Sequence, residues 1–418
     1  MSKAGISAII LAAGKSTRIK QKTPKIILDL GGRPLIFHLL AQLDVVRAIS
    51  EIIVVLGHQK EIIEPVIRKA FPKIKFAYQK KLNGTAKAVE AGLAKTKGSD
   101  VLVMCGDTPL MTKATLIHFL KTYRRTKSCA LVATSSLPYE NSLGRIFRDR
   151  QGKIARIIEK RDLKQRIDEV NSGMYCFSKK HLIGGLKKIR MNPHKKEYYV
   201  TDIIEIFNQN RYKTESVFID DWTQIMGVND LGDLAFAYKS LNKRLLEKAM
   251  GVGVRIIDPD TTYVHCGVKI GADTIIYPFT FIENDVIIGS NCRIGPFARV
   301  RKGSIIKDDT SVGNFTEINR SVLGKHVRAK HFSYIGDAYI GQGSNIGAGA
   351  VFANYDGRNK NKTVVGKNVF IGSDTVIVAP LAIGDNARTG AGCVVTKNVK
   401  KNTTVVGVPA RTFSKKKG

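Results

Sequence analysis

Two hydrophobic periodicities divide the chain. Through residues 1–228, short apolar runs alternate with longer stretches whose apolar residues recur every three or four positions. The runs at 6–11, 51–56, 101–104 and 130–133 predict buried strands. The stretches at 35–43, 62–70, 86–94 and 115–123 predict helices between them. Such alternation predicts a mostly parallel sheet with helices on both faces, and ligands of such sheets sit beyond the carboxyl ends of the strands. Residues 230–250 keep helical spacing (Leu234, Tyr238, Leu241, Leu245) without proline and predict a connecting helix. From Val264 the period becomes six: Val264, Ile270, Ile276, Ile282, Ile288, Ile294, Val300, Ile306, Val312 and Ile318. After one-residue slips it resumes at Leu323, Ala329, Ile335, then Ile340, Ile346, Phe352, and later at Val365, Ile371, Ile377, Ile383 and Val395. Sustained hexads predict a parallel β-helix, one short strand per hexad, with inward residues stacked in columns. The expected organisation is therefore a domain at 1–229, a linker helix at 230–251 and a coil at 252–418.

Composition narrows the class. No secretory pattern opens the chain and no apolar run could span a bilayer. The six cysteines are scattered without metal-ligand spacing, so a cytoplasmic, reducing setting is expected. The formal charge is +33, with +22 in residues 1–250 and +11 in 251–418, so the excess is not a tail. No nucleic-acid-binding motif accompanies it, and anionic small substrates explain it better than nucleic acid. The terminal Lys415, Lys416 and Lys417 read as a solvated end.

Candidate chemistry lies where the strands end. LAAGKSTRIKQKTPK, residues 11–25, puts a small, glycine-containing turn and Lys15, Arg18 and Lys25 after the first strand. Such a turn offers backbone N–H groups and cations to phosphate. It is neither a Walker loop nor a dinucleotide fingerprint. Asp107 leaves the run at 101–104 through Cys105 and Gly106, as a magnesium ligand beside a triphosphate would, or as a helix-capping aspartate would. Asn229 offers a second oxygen donor, or an N-cap for the helix that follows. In the coil, NYDGRNKNK at 354–362 interrupts the hexads as an ejected loop, and His331 precedes it in KHFSY. A lone histidine there is either a solvent-facing coil residue or a general base, a task imidazole suits because it titrates near neutrality.

The succession of motifs carries a resemblance. L-A-A-G-x-x-T-R followed by P-K resembles the signature of the sugar-nucleotide pyrophosphorylases, with Ser16 where that family usually has glycine. Q-x4-GT, GD, GR, E-K, N-S-G, YYVTD and GVN then follow across residues 4–229. Their order resembles the uridylyltransferase half of the bacterial bifunctional enzymes that make UDP-N-acetylglucosamine. GNFTE, AKHFSYIGDA, NIGAG, NYDG and IGSDT follow in the order of their acetyltransferase half. The resemblance implies a Rossmann-like α/β nucleotidyltransferase domain and a left-handed coil of hexapeptide repeats.

Residue by residue, the resemblance implies that Leu11, Ala12, Ala13 and Gly14 cradle the nucleotide while Gln79, Gly84 and Thr85 read uracil. Arg18 and Lys25 would hold the phosphates, Asp107 and Asn229 the Mg²⁺, and Gly144, Glu159, Asn171 and Thr201, with Asn229, the sugar phosphate. His331 would be the base toward the amine of glucosamine-1-phosphate, with Arg301, Tyr334, Asn345 and Lys360 binding that acceptor. Ala348, Asn354, Tyr355, Ser373 and Ala391 would line the acetyl-CoA channel. Departures are local: Ala86-Lys87 after Gly-Thr, Cys105 for a tyrosine, Asn319 for a lysine and Gly407 for an arginine. Arg320 could replace the missing lysine's charge, but strand alternation predicts that it points away.

The expected enzyme acetylates glucosamine-1-phosphate with acetyl-CoA, then couples N-acetylglucosamine-1-phosphate to UTP with loss of pyrophosphate. A homotrimer is expected through the coils. An alternative keeps only the uridylyltransferase, with the coil as a trimerisation scaffold or acting on a different amino sugar. A regulatory protein of similar architecture would lack the combination of Arg18, Lys25, Asp107 and Asn229.

Overall fold

The computed structural model describes residues 5–159, 166–193 and 196–413. The chain forms two compact units, Met1–Ser240 and Leu241–Gly418. Lys160 and the terminal lysines 415–417 lie outside the described residues.

The first unit is built on the apolar run predicted first. The strand Ile6–Ala12 lies inside the sheet, between Ile49–Leu56 and Asp100–Cys105, parallel to both. Lys75–Tyr78 continues one side; Glu169–Ser178, Ala130–Ser136 and Thr214–Phe218 complete the other. Only Glu169–Ser178 runs antiparallel among these seven, and it also carries the hairpin of Arg145–Arg148 and Ile154–Ile158. Alternation within a strand buried on both faces supplies two cores. Ile10 packs with Leu102, Met104 and the helices Leu35–Asp44 and Lys113–Thr126. Ile9 packs on the opposite face with Val55, Val103 and the helices Thr85–Leu93 and Asp202–Gln209.

The chain first steps from Ile6–Ala12 to one side and later returns to its other side at Asp100–Cys105. That reversal opens a crevice at the carboxyl ends of the two strands, where Leu11 and Cys105 are register partners. The Gly106 N–H donates to the Leu11 carbonyl at 2.8 Å and ties the two strand ends together.

The second unit begins within the helix Leu231–Met250 and continues as a left-handed parallel β-helix. Each coil contributes one strand to each of three parallel sheets, so that Ile276 pairs with Ile294 one coil later and Ile294 with Val312. The hexad residues point inward: Ile276, Ile282, Ile294, Val300, Ile306 and Ile318 are fully buried, and Ile270 is partly buried. Corners between strands hold the left-handed backbone conformation at Asp273, Asp285, Asn291, Asp309 and Arg320 among others. Asp and Asn tolerate that conformation better than most residues.

Candidate functional site

The crevice of the first unit is a cavity of about 550 Å³. It is lined by Leu11, Ala12, Ala13, Gly14, Arg18, Lys25, Gln79, Gly84, Thr85, Asp107 and Asn229, all expected from the sequence. Gly84 has φ +110°, and a Cβ there would meet the Tyr198 carbonyl oxygen at 2.3 Å, so only glycine fits. Its carbonyl accepts a 3.0 Å hydrogen bond from Gln79 Nε2, which orients that amide at the cavity wall. Thr85 opens the helix Thr85–Leu93, and its Oγ1 accepts from the Val200 N–H at 3.0 Å.

Charge is concentrated at one end. Lys25 Nζ donates to Asp107 Oδ2 at 2.5 Å, and Arg18 Nη2 donates to Asn229 Oδ1 at 2.9 Å. Neither Asp107 nor Asn229 caps a helix through its side chain. Thr112 caps Lys113–Thr126, and Asp230 Oδ1 accepts from the Asp233 N–H at the start of Leu231–Met250. The Val228 N–H donates to the Asp107 carbonyl at 2.9 Å, which brings the two donor segments together. A Cβ built on Gly227 would lie 3.4 Å from Asp107 Oδ1 and 3.7 Å from Asn229 Nδ2, so the bare glycine leaves the space between them open. A carboxylate and an amide oxygen suit a hard divalent cation that completes its shell with phosphate and water.

Cys105, which replaces the family's tyrosine, also lines the cavity. Burial, reinforced by Asp107 and opposed by Lys25, pushes its thiol up to about 12, so it stays neutral at physiological pH. A Cβ on Gly173 would sit 3.2 Å from its sulfur, which joins the nucleotide cavity to the expected sugar-phosphate residues. Among these, the Asn171 N–H donates to the Gly144 carbonyl at 2.9 Å, and Asn171 Nδ2 donates to the Tyr175 hydroxyl at 2.6 Å. Glu159 Oε1 lies 3.8 Å from a Cβ built on Gly144. Thr201 Oγ1 is buried and has no hydrogen-bond partner among the described residues. Burial, then Glu159 and Glu205, push the neighbouring Asp202 carboxyl up to about 6.

Sequence reading missed His58, Gln59, Leu82 and Glu197 on the cavity wall. His58 and Gln59 follow the strand Ile49–Leu56 after Gly57, so the strand-end rule could have found them. Glu197 carries no comparable local signal.

Ser16 has φ +52°, a left-handed conformation that glycine adopts without Cβ strain. Ser16→Gly should therefore stabilise the protein by about 0.5–1 kcal/mol, the relief of strain exceeding glycine's extra unfolded-state entropy. Urea unfolding checks this; an unchanged or lower midpoint would contradict it.

In the coil, His331 ends the strand Arg328–His331, paired with Asn314 one coil earlier. The following rungs are fixed by hydrogen bonds from Gly349 N–H to Phe332 O, Asp374 N–H to Ala348 O and Gly392 N–H to Ser373 O. His331, Ala348, Ser373 and Ala391 thus occupy successive levels of one corner. Three coil spacings of about 4.8 Å separate His331 from Ala391, roughly 14 Å.

A second group forms on the neighbouring sheet. Arg301 Nη1 donates to Glu317 Oε1 at 2.9 Å, and Asn319 Nδ2 donates to the Tyr334 hydroxyl at 3.4 Å. Asp337 accepts from Arg320 through both carboxylate oxygens, at 2.7 and 2.6 Å, and also from Asn354 Nδ2. Arg320, with Asn354 and Lys360 adding to it, holds the Asp337 carboxyl below the usual carboxylate range. Lys360 bridges back to Tyr355 within the ejected loop, where the Tyr355 hydroxyl donates to the Gly357 carbonyl at 2.7 Å. Asn345 stands apart from this group, on the strand paired with Arg328 and Phe370.

Arg320 does not point away. It lies past the end of the strand Glu317–Asn319, at a corner with φ +49°, where strand alternation no longer applies. Its Nη1 donates to Asn319 Oδ1 at 3.0 Å, so a guanidinium stands beside the position where the lysine is missing. Gly407 has φ +90°, a conformation that an arginine would adopt only with strain.

A family model for the MobA-like NTP transferase domain matches residues 8–172. The bacterial transferase hexapeptide model, which describes six repeats, matches residues 267–302, 285–320 and 362–397. The bifunctional protein GlmU of Carboxydothermus hydrogenoformans is 36% identical, covering 96% of this chain and 97% of its own. That of Thermosipho africanus is 38% identical over 96% of this chain and 94% of its own. Both family models fall where the geometry places the cavity and the coil, and similarity of this extent runs through both units: the chain belongs to the bifunctional GlmU family.

Proposed function

We propose that the chain makes UDP-N-acetylglucosamine in two steps, acetyl transfer in residues 252–418 and uridylyl transfer in residues 1–229, joined by a linker helix at 230–251. The observation that carries the reading is the switch-point cavity, where two oxygen donors and two cations converge on one end of a nucleotide-sized space.

In uridylyl transfer, a sugar-1-phosphate oxygen attacks the α-phosphorus of UTP in line and pyrophosphate leaves. Leu11–Gly14 backbone and the Gln79–Gly84 wall hold the nucleotide, while Arg18 and Lys25 hold its phosphates. Gly144, Glu159, Asn171 and Thr201 hold the sugar phosphate, and the buried Thr201 hydroxyl has no hydrogen-bond partner among the described residues. Asp107 and Asn229 would hold Mg²⁺, which when bound neutralises charge on the phosphates. No protein nucleophile is required, and the neutral Cys105 thiol offers none. Positioning and charge neutralisation carry the rate.

In acetyl transfer, His331 takes a proton from the acceptor amine as its nitrogen attacks the thioester carbonyl; the C–S bond then breaks, and coenzyme A leaves as a thiolate that takes up that proton. Arg301, Tyr334 and Lys360 bind the acceptor, and the column Ala348, Ser373 and Ala391, with Asn354 and Tyr355, lines the coenzyme channel. Asn345 lies on the sheet of His331 and not on that of Arg301 and Tyr334, and the proposed assembly is a homotrimer. One outward ladder of the coil is apolar, formed by Ile287, Ile305, Val322, Tyr339 and Val364 in register, and supports the same assembly. All six cysteines are free thiols, as a cytoplasmic location permits.

The test is the product spectrum from UTP, acetyl-CoA and a panel of amino-sugar phosphates. UDP-N-acetylglucosamine formed from glucosamine-1-phosphate supports both steps; formation only from supplied N-acetylglucosamine-1-phosphate would leave the coil a scaffold. Arg320 should supply the acceptor contact that Asn319 lacks. Arg320→Ala should lower kcat/KM for glucosamine-1-phosphate by about 10- to 100-fold, mainly through KM, because a charge-assisted contact contributes about 1.5–3 kcal/mol. Arg320→Lys should recover part of that loss in the same steady-state assay; equal kinetics for wild type and Arg320→Ala would remove Arg320 from the site.

A further inference from the structure

The first unit holds a second cavity of about 560 Å³, formed by residues distinct from those of the nucleotide cavity. It lies between the segment 45–48, which leads into the strand Ile49–Leu56, and one face of the helix Lys113–Thr126. Gly5 and Ala48, at its base, precede strands whose carboxyl ends border the nucleotide cavity. A strand of seven residues rises about 3.3 Å per residue, so the two cavities lie roughly 20 Å apart along the sheet.

The lining combines two chemistries. Val46, Ile117 and Leu120 make an apolar floor, while Arg47, Lys113, Lys121 and Arg124 surround it. None of these four cations forms a salt bridge with any described residue. Elsewhere in the unit comparable side chains do: Arg68 pairs with Glu64, Lys75 with Glu51 and Arg148 with Glu169. In a chain of charge +33, unpaired lysines and arginines are common, so charge alone would mark nothing. What distinguishes this place is four of them around one apolar hollow of ligand size. Their mutual repulsion is relieved by an anion, and an apolar floor rewards a hydrocarbon body. Inorganic phosphate would leave the floor wet, and an uncharged hydrocarbon would leave the cations unpaired.

We infer that this cavity is a binding site for an amphipathic organic anion, with a carboxylate or phosphate head held by the basic rim and an aliphatic body on Val46, Ile117 and Leu120. The site is independent of the nucleotide cavity and does not rest on the activity proposed above.

Calorimetric titration of the full-length protein with dodecanoate, kept below its micelle-forming concentration, tests the assignment. One saturable site per chain is expected, undisturbed by saturating UTP. Lys121→Glu/Arg124→Glu, two exposed changes on the helix surface, should weaken it at least tenfold while the thermal melt stays within about two degrees. Ile117→Asn should weaken it several-fold with the rim intact. Dodecyltrimethylammonium and inorganic phosphate should each fail to displace dodecanoate at equal concentration. The assignment is overturned by an absence of saturable binding, by unchanged affinity in the charge-reversed protein, by displacement with UTP, or by equal binding of either control.

Discussion

Asp107→Asn is expected to reduce UTP-dependent turnover by about 10²–10³, the loss that follows removal of one electrostatic partner of a developing charge. The substitution is nearly isosteric, so what changes is charge. Lys25 Nζ lies 2.5 Å from Asp107 Oδ2, and the lysine side chain is 11% exposed. An asparagine leaves that ammonium without its carboxylate and replaces the charged oxygen donor beside Gly227 with a neutral amide one. The melting temperature should fall by a few degrees, because one half-buried ion pair is lost from a unit of this size. Acetyl transfer should be unchanged. Steady-state assays of both half-reactions decide it, and a parallel loss of both activities would mean unfolding rather than chemistry. Raising the Mg²⁺ concentration should recover part of the lost turnover in the variant if Asp107 is a ligand; no response to metal would confine its role to orienting Lys25.

Much of this was legible from the chain because the informative patterns are local. Ile9 and Ile10 point to opposite cores, so an unbroken apolar run was the right signature for a strand buried on both sides. The hexads report a repeat in which each strand meets its equivalent one coil later, so eighteen residues of sequence fix the register. The antiparallel strand Glu169–Ser178 was not legible. Its place between Ala130–Ser136 and Asp100–Cys105 is set by long-range pairing that no segment shows by itself.

At the site, residues that leave strands could be found because the sheet topology decides where they go. Arg320 could not, since alternation holds only inside a strand. The strand ends at Asn319, and the left-handed corner turns the next side chain back beside it. That the Asp230 side chain, not that of Asn229, caps the first turn of Leu231–Met250 was equally hidden, because both residue types cap helices well. Its place on the cavity wall and the 2.9 Å contact from Arg18 show that the Asn229 amide faces the cavity.

His331→Ala should lower acetyl transfer by roughly 10²–10⁴, the usual contribution of a general base, and leave uridylyl transfer near wild type. The expectation rests on place. His331 stands exposed at the head of the corner that continues through Ala348, Ser373 and Ala391. A coenzyme lying along that corner would deliver its thioester to the imidazole, with the amine held by Arg301 and Tyr334 on the adjoining sheet. The backbone there is fixed independently of the ring, because Ser333 Oγ donates to the His331 carbonyl at 2.7 Å and the strand pairs with its neighbours. Alanine should therefore fold as wild type does, and binding of acetyl-CoA should persist. The distinguishing readout is the split between parameters: kcat falls while KM for acetyl-CoA moves less than about threefold, since the ring acts on a proton and not on the coenzyme. The deficit should shrink at higher pH, where more of the acceptor amine is already unprotonated and needs less help from a base. A variant within a few-fold of wild type, or one whose loss is wholly in KM for acetyl-CoA, would assign His331 to the channel wall and leave proton removal to another group.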